Sequence, residues 1–363
     1  MGQLQMAVPP SGSDFYLRTR AAKKIIVIDL GFLGDSVHLL PSLWELKSHY
    51  PDAQLHVLTT AIGADVLQMA PCVDRAWVFP LGPKSPPWWR HWDIIRALRC
   101  EKFDLAINFS GADRTLFLTA LTGARWRAAR EGARKHFWRR WLIADWVART
   151  DLEQPVYEQR RRVLSRLGLN LGPARFDLRV PETAVNWIKT WVKFPAVHFS
   201  INASTPLKEW PLAHWIELAR IVLRDHPQFQ IVASSGSAGR EQERLKEFSA
   251  AVNDPGLKTF MAPSLADLSA LLKAGALHVG ADSGVLHLAM ALDVPTLSFF
   301  REYPGLSDWL PRGEKHRALT SACACEQNRN WTCAANGVAA CLEKISPDAA
   351  GDALRKLLSR QES

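Results

Sequence analysis

Three stretches of this chain collect residue types suited to chemistry at a phosphate. Gly280-Ala281-Asp282-Ser283-Gly284-Val285-Leu286-His287-Leu288-Ala289 follows an apolar strand-like run and opens a helix. The unpaired N–H groups of a first helical turn and the positive end of the helix then face an anion. Asn202-Ala203-Ser204-Thr205-Pro206-Leu207-Lys208-Glu209-Trp210-Pro211 places Lys208 in a loop of small polar residues just after a strand. A lysine there projects into the crevice where doubly wound sheets hold ligands. Ser204, Thr205 and Lys208 from this loop, with Asp282, Ser283, Gly284 and His287, make a seat the size of a diphosphate. Residue by residue, a solvated surface lysine and a satisfied core histidine remain open as readings.

The third stretch is Gly31-Phe32-Leu33-Gly34-Asp35. It is shorter than G-x-G-x-x-G, and no acid closes the second strand where a ribose-binding one would stand. Asp35 at the helix start reads either as an N-cap or as a base. A carboxylate here repels a pyrophosphate, so this loop suits a neutral hydroxyl better than a nucleotide. The chain has no G-x-x-x-x-G-K-[ST], no H-E-x-x-H and no G-x-S-x-G. It also has no Asp-x-Asp pair at a strand end to hold a divalent metal on a diphosphate, so metal-independent chemistry is expected.

Such residues need a scaffold to hold them. At 363 residues, 47% hydrophobic and 22% charged, the chain has the length of about two ordinary globular domains. No apolar run is long enough to span a bilayer, and residues 1–20 lack the apolar core of a secretory signal. A cytoplasmic protein is therefore expected. The formal charge of +9 is uneven: Lys84 to Arg149 holds 14 Lys/Arg against 6 Asp/Glu and seven of the 15 tryptophans. That segment suits an anionic partner. Arg114, Arg125, Arg127, Arg134, Arg139 and Arg140 carry its bidentate potential, and Trp88, Trp89 and Trp138 its stacking potential. A solvated helix face with inward tryptophans is the plainer alternative.

Lys23–Leu30 reads as a buried strand of a parallel sheet. Helical spacing follows from Asp35 to Tyr50, then strands at Gln54–Thr59, Ala76–Phe79 and Leu105–Phe109. Arg114–Leu121 and His136–Ala148 read as helices, and Cys72 and Cys100 as buried. The periodicity breaks between Leu167 and Pro181 and then restarts, with strands at Ala196–Ile201, Phe229–Ala233, Leu277–Val279 and Thr296–Phe300. Helices are expected at Leu212–Asp225, Arg240–Ala251, Leu265–Ala274, Val285–Leu292 and Pro347–Ser359. Strands alternating with helices imply two successive doubly wound parallel sheets.

With its three stretches in this order, the chain resembles the ADP-heptose heptosyltransferases of lipopolysaccharide assembly, glycosyltransferase family 9, over roughly residues 23–350. The resemblance implies an α/β fold of the GT-B type, with two Rossmann-like doubly wound domains and an interdomain cleft. The expected parts are a loose leader (1–22), an acceptor-binding domain (23–175), a nucleotide-sugar domain (176–346) and a terminal helix (347–363) returning to the N-terminal domain. It implies an inverting, metal-independent transfer of heptose from ADP-heptose to a hydroxyl of the lipopolysaccharide core, an anionic glycolipid. Asp35 would be the base. Ser204, Thr205, Lys208, Asp282, Ser283, Gly284 and His287 would bind the donor, and Glu241 or Glu243 falls near the ribose-contacting acid, with Glu241 the candidate. Gly34, Arg114, Arg139 and Arg140 would meet the acceptor, with peripheral contact at the inner membrane surface. The stretch Asp104–Gly111 departs from the family, carrying Asn108 and Ser110 where Asp and Gln are usual.

Catalysis is expected to need no cofactor. Cys323-x-Cys325, Cys333 and Cys341 fit no standard zinc spacing. One branch of the family, acting on autotransporter adhesins, binds iron through such late cysteines, so iron or zinc on this cluster and unmetallated thiols both stay open. Transfer to a protein hydroxyl is the alternative within the family. A non-catalytic binder of anionic ligands or nucleic acid is the alternative outside it. The co-occurrence of Asp35, Lys208 and Asp282 argues against the binder and against a nucleic-acid partner.

Overall fold

The structure is a computed structural model that describes residues 13–81, 88–132, 139–148, 153–323 and 339–360. Its contacts divide the chain into two compact units, Met1–Phe176 and Asp177–Ser363.

In the first unit the apolar runs form strands β1 (Lys24–Ile28), β2 (Gln54–Thr59), β3 (Arg75–Val78), β4 (Leu105–Asn108), β5 (Trp126–Arg130) and β6 (Asp145–Val147). They build one sheet in the order β3-β2-β1-β4-β5-β6. Pairing is parallel, with Ile26 opposite His56 on β2 and Ala106 on β4. Helices α1 (Ser13–Thr19), α2 (Leu33–His49), α3 (Ala61–Leu67), α4 (Trp92–Cys100), α5 (Asp113–Leu121), α6 (Arg139–Leu142) and α7 (Val156–Arg166) complete it. β1 is all but buried, as its continuous β-branched run requires of a strand covered on both faces.

The second unit repeats the plan. Its strands are β7 (Ala196–Ser200), β8 (Gln230–Ser235), β9 (Leu257–Met261), β10 (Leu277–Ala281), β11 (Thr296–Phe299) and β12 (His316–Leu319). The order β12-β11-β10-β7-β8-β9 is the first unit's order read from the other edge. Helices α8 (Glu182–Trp191), α9 (Leu212–Asp225), α10 (Gly239–Val252), α11 (Leu265–Ala274) and α12 (Gly284–Ala291) flank it. In each unit the strand order reverses between its first and fourth strands. Open α/β sheets bind ligands at the carboxyl ends of the strands flanking such a reversal. The loops after β1 and β4, and after β7 and β10, are therefore the places to look.

Several expectations change. The leader is not loose throughout: α1 buries Phe15, and the Tyr50 hydroxyl lies 2.8 Å from that of Thr19. The terminal helix, Pro347–Ser359, puts Leu354, Leu357 and Leu358 into the core of the second unit beside Trp215 and Leu218 of α9. The expected helix at His136–Ala148 is, where described, the single turn α6 followed by the edge strand β6. Cys100 is exposed, whereas Cys72 is buried. Cys341 is buried in the second unit's apolar core and Cys323 packs against that core, while Cys325 and Cys333 lie outside the described residues. Among the described residues no three His, Cys, Asp or Glu side chains are grouped to hold a metal, and no helix is long and apolar enough to cross a membrane.

Candidate active site

In the first unit the chain leaves β1 through Asp29 and turns at Gly31 into α2. Glycine is required at the turn: a Cβ on Gly31 would stand 2.3 Å from the Asp35 Cβ and 2.9 Å from Asp29 Oδ1. Asp35 is the third residue of α2 rather than its N-cap, and the Phe32 N–H donates to its Oδ2 at 3.1 Å. Gly34 is buried in the same first turn. Asp29, which the sequence reading passed over, is buried and accepts the Gly31 N–H on Oδ1 at 2.9 Å. Arg160 of α7 reaches both acids, with Nη2 3.0 Å from Asp29 Oδ2 and 3.2 Å from Asp35 Oδ1. Its Nη1 also donates to the Asp35 main-chain carbonyl. Burial raises the Asp35 carboxyl above its ordinary range; Arg160 opposes this shift and the charge on Asp29 adds to it.

The loop after β4 is self-contained. Buried Asn108 donates to Thr119 Oγ1 at 3.0 Å and accepts the N–H groups of Ser110 and Gly111 at 2.9 and 3.2 Å. Its amide is thus spent on the turn. Gly111 has φ +66°, and a Cβ there would meet the Arg130 carbonyl at 2.5 Å.

In the second unit, Lys208 ends a short 3-10 turn after β7. Its Nζ lies 2.7 Å from Asp282 Oδ2, beyond the end of β10. The Tyr303 hydroxyl donates to the same oxygen at 3.3 Å, and burial followed by the Asp282 charge pushes that phenol's pKa up. The sequence reading missed Tyr303, which carries no motif.

Neighbouring residues fix the lysine. Buried Glu209 accepts the Ala203 N–H at 3.1 Å and the Arg240 Nη1 at 2.7 and 2.9 Å. Trp210 stacks on Phe299 with ring centroids 4.1 Å apart, and its indole donates to the Ile345 carbonyl at 3.0 Å. Lys208, Glu209 and Trp210 thus point to Asp282, to Arg240 and into the core, so two anchors orient the ammonium.

Ser283 caps α12 with extended backbone but makes no side-chain cap bond; its buried Oγ has no partner in the structure. The Oδ1 of Asn202, in the adjoining loop, is likewise buried and unpartnered. Both oxygens are thus left open to a polar ligand. His287 is buried one turn into α12, its ring 5.4 Å from that of Trp309. Burial lowers its pKa to about 4, Asp282 raising and Lys208 lowering it further, so the imidazole is neutral near pH 7. Ser204 and Thr205 are exposed beside Lys208. Glu241 is held away from solution chemistry in part: its Oε2 accepts the Gly236 N–H at 2.9 Å, closing the loop after β8.

The expected acceptor arginines divide. Arg114 is exposed on α5. Arg139 is buried and paired with Asp113, which corrects the expectation of an outward guanidinium. Arg127 lies on β5 and donates to the Leu142 and Ala124 carbonyls at 2.7 and 2.8 Å, so it too is structural. The Arg140, Trp88 and Trp89 side chains, together with Arg134 and Trp138, lie outside the described residues.

Two sheets of the same order, each with its own reversal point, give an α/β fold of the GT-B type. The chain belongs to glycosyltransferase family 9 (heptosyltransferase), whose description matches residues 91–339. It is 26% identical over 326 residues to lipopolysaccharide heptosyltransferase 1 of Pseudomonas aeruginosa, covering 83% of this chain and 85% of that one. Its fold is similar to that of the E. coli ADP-heptose lipopolysaccharide heptosyltransferase II, with a TM-score of 0.75 at 21% identity over 94% of this chain and 100% of that one. The E. coli heptosyltransferase WaaC, solved with ADP-2-deoxy-2-fluoro heptose, gives a TM-score of 0.71 at 17% identity over 92% and 99%.

Proposed function

We propose that this heptosyltransferase moves heptose from ADP-heptose to a hydroxyl of the lipopolysaccharide core with inversion and without a divalent metal. One observation carries the reading. Lys208 is the exposed member of its ion pair and Asp282 the buried one, at 33% and 5%, whereas Asp35 is the exposed member of its pair and Arg160 the buried one, at 28% and 9%. The second unit thus offers a cation to an anionic donor, and the first offers a carboxylate to a neutral hydroxyl.

In this mechanism Asp35 takes the proton of the attacking hydroxyl as its oxygen bonds to the anomeric carbon. The bond from that carbon to the β-phosphate oxygen breaks on the opposite face, which inverts the centre. Charge grows on the departing ADP, where Lys208 and the first-turn N–H groups after Ser283 neutralise it. Neutral His287 adds no charge of its own. Ser204 and Thr205 contribute hydroxyls beside the lysine, and Glu241 a carboxylate toward the ribose.

The adjoining helices α4, α5 and α6 expose Trp92, Phe117 and Trp141 at 53%, 48% and 74%, with Arg114 among them. Apolar rings beside cationic side chains suit an anionic glycolipid at the inner membrane surface. Mass spectrometry after incubation with ADP-heptose and deacylated core fractions tests the reading. A mass gain of one heptose, retained with EDTA present, supports it. Hydrolysis of the donor with no acceptor modified, or strict dependence on added Mg²⁺, contradicts it.

A further inference from the structure

We propose that Arg160 is a positioning residue for Asp35 and that Asp29 is the counter-charge that leaves Asp35 able to take a proton. The inference rests on the reading of Asp35 as the acceptor's base. It begins from a symmetric arrangement. Each acid gives one oxygen to a main-chain N–H of the β1–α2 turn, Asp29 to Gly31 and Asp35 to Phe32. Each gives its other oxygen to the same Arg160 nitrogen, at 3.0 and 3.2 Å. The second guanidinium nitrogen holds the Asp35 carbonyl. One planar fork therefore fixes both the side chain and the backbone of Asp35. A lysine, with one point of charge, cannot span those acceptors.

The electrostatics explain why two acids share one cation. A carboxylate beside a lone arginine loses basicity, typically by about 1–3 pH units. A base so quenched takes a proton poorly. Asp29 shares the guanidinium and adds a like charge, and both effects restore basicity to Asp35. Among the described residues, the charged groups facing Asp35 are Arg160 from α7 and Asp29 from the end of β1. Just ahead of α3, the Thr60 hydroxyl donates to the Gly31 carbonyl at 3.1 Å. Asp29 is buried and Asp35 part-exposed, so only Asp35 is presented to a substrate. The cluster thus separates one carboxylate that does chemistry from one that sets its charge.

The test is the pH dependence of kcat/KM for acceptor, on the full chain, with ADP-heptose and deacylated core. A base gives an acid limb: activity rises as the group loses its proton. Asp29→Asn moves that limb to lower pH by about 1 unit, because Asp35 alone then receives the arginine's charge. Arg160→Ala moves it to higher pH by a similar amount and lowers the plateau. Arg160→Lys keeps the charge but loses the fork. Its limb stays nearer the wild-type position while its kcat falls by about tenfold, less than the roughly 10²–10⁴-fold that a general base contributes outright. Limbs of Asp29→Asn and Arg160→Ala that coincide with the wild type, or move in the same direction, overturn the proposal and leave a structural ion cluster. If Arg160→Ala does not fold, an Asp29→Asn limb displaced to lower pH beside an Arg160→Lys limb near the wild-type position carries the proposal, and an Asp29→Asn limb that stays in place or rises overturns it. Asp35→Asn is measured alongside. Full turnover in that variant removes the base assignment and this inference with it, whereas loss of turnover with unmoved limbs removes this inference alone.

Discussion

The helix turns after β1 and after β10 use the same parts and expose opposite ones. Both place an acid and a small-residue step at the opening of a helix, at the reversal point of a sheet of the same strand order. In the first unit the acid itself takes the Phe32 N–H, and its arginine is buried behind it. In the second the acid is buried, the cation is outermost, and the serine at the helix cap leaves its hydroxyl unspent. The same scaffold thus exposes a carboxylate in one copy and a cation in the other. What decides is which member of an ion pair reaches solvent, and that depends on where the cation is anchored. Arg160 comes from a helix packed behind its turn, whereas Lys208 comes from a loop in front of its own.

The largest way to disturb this contrast is to remove the anchor under Lys208. Trp210→Ala deletes a fully buried ring stacked on Phe299, and large aromatic truncations cost about 3–5 kcal/mol. Denaturant unfolding should show a second-unit transition weakened by that amount, with ADP binding lost at lower denaturant than in the wild type. A loss below 1 kcal/mol means the loop does not depend on this packing.

Removing the cation itself comes next. Lys208→Ala should slow transfer by about 10²–10³-fold, as for loss of one preorganised donor, and weaken ADP binding, since the buried Asp282 carboxylate then faces phosphate unscreened. Adding Asp282→Asn to that variant should recover part of the ADP affinity. Affinity that falls further in the double variant contradicts the screening argument.

The second unit's buried histidines give a smaller, pH-dependent effect. Burial lowers His287 to about 4 and His198 to about 3 from an ordinary 6.5. Their contribution to stability is complete above about pH 6.5 and declines as pH falls toward those lowered values, because the unfolded chain takes up the protons first. Each can add up to about 1.4 kcal/mol per pH unit over that range. Thermal melts at pH 7.5 and pH 5 should differ, and His198→Asn should reduce the difference. Identical pH dependence in that variant rules His198 out as a contributor.

The smallest effect belongs to the exposed basic face. Arg114→Ala should raise acceptor KM by no more than about fivefold, the scale of an exposed charge contact, and added salt should erase the difference. A change in donor KM instead places Arg114 on the wrong substrate.

Much of this contrast was legible in the sequence because it is local. Gly31 to Asp35, the Lys208 loop and Asp282 to His287 each join an apolar run to a helix start within a dozen residues. What escaped is what the fold brings from afar. Arg160 lies 125 residues beyond Asp35 in a helix rich in arginine, and nothing in its neighbours says that its guanidinium turns inward toward Asp35. Asp29 could have been read, as an acid ending an apolar strand before a glycine turn. Edge strands β6, β9 and β12 were missed because half-exposed edges carry mixed residues and no continuous apolar run. The sequence reading also took Arg127 and Arg139 for surface charge; both spend their guanidinium groups inside the first unit. The departure at Asn108 is explained by its turn, where the amide donates to Thr119 and accepts from two main-chain N–H groups.

The central claim is that the two turns do separable work, and Asp35→Asn tests it most directly. Turnover with ADP-heptose and acceptor is measured beside the calorimetric Kd for ADP. The account predicts turnover reduced by about 10²–10⁴-fold, the span of general-base catalysis, with the ADP Kd unchanged. Near-normal turnover, or a Kd for ADP weakened in step with turnover, would contradict it.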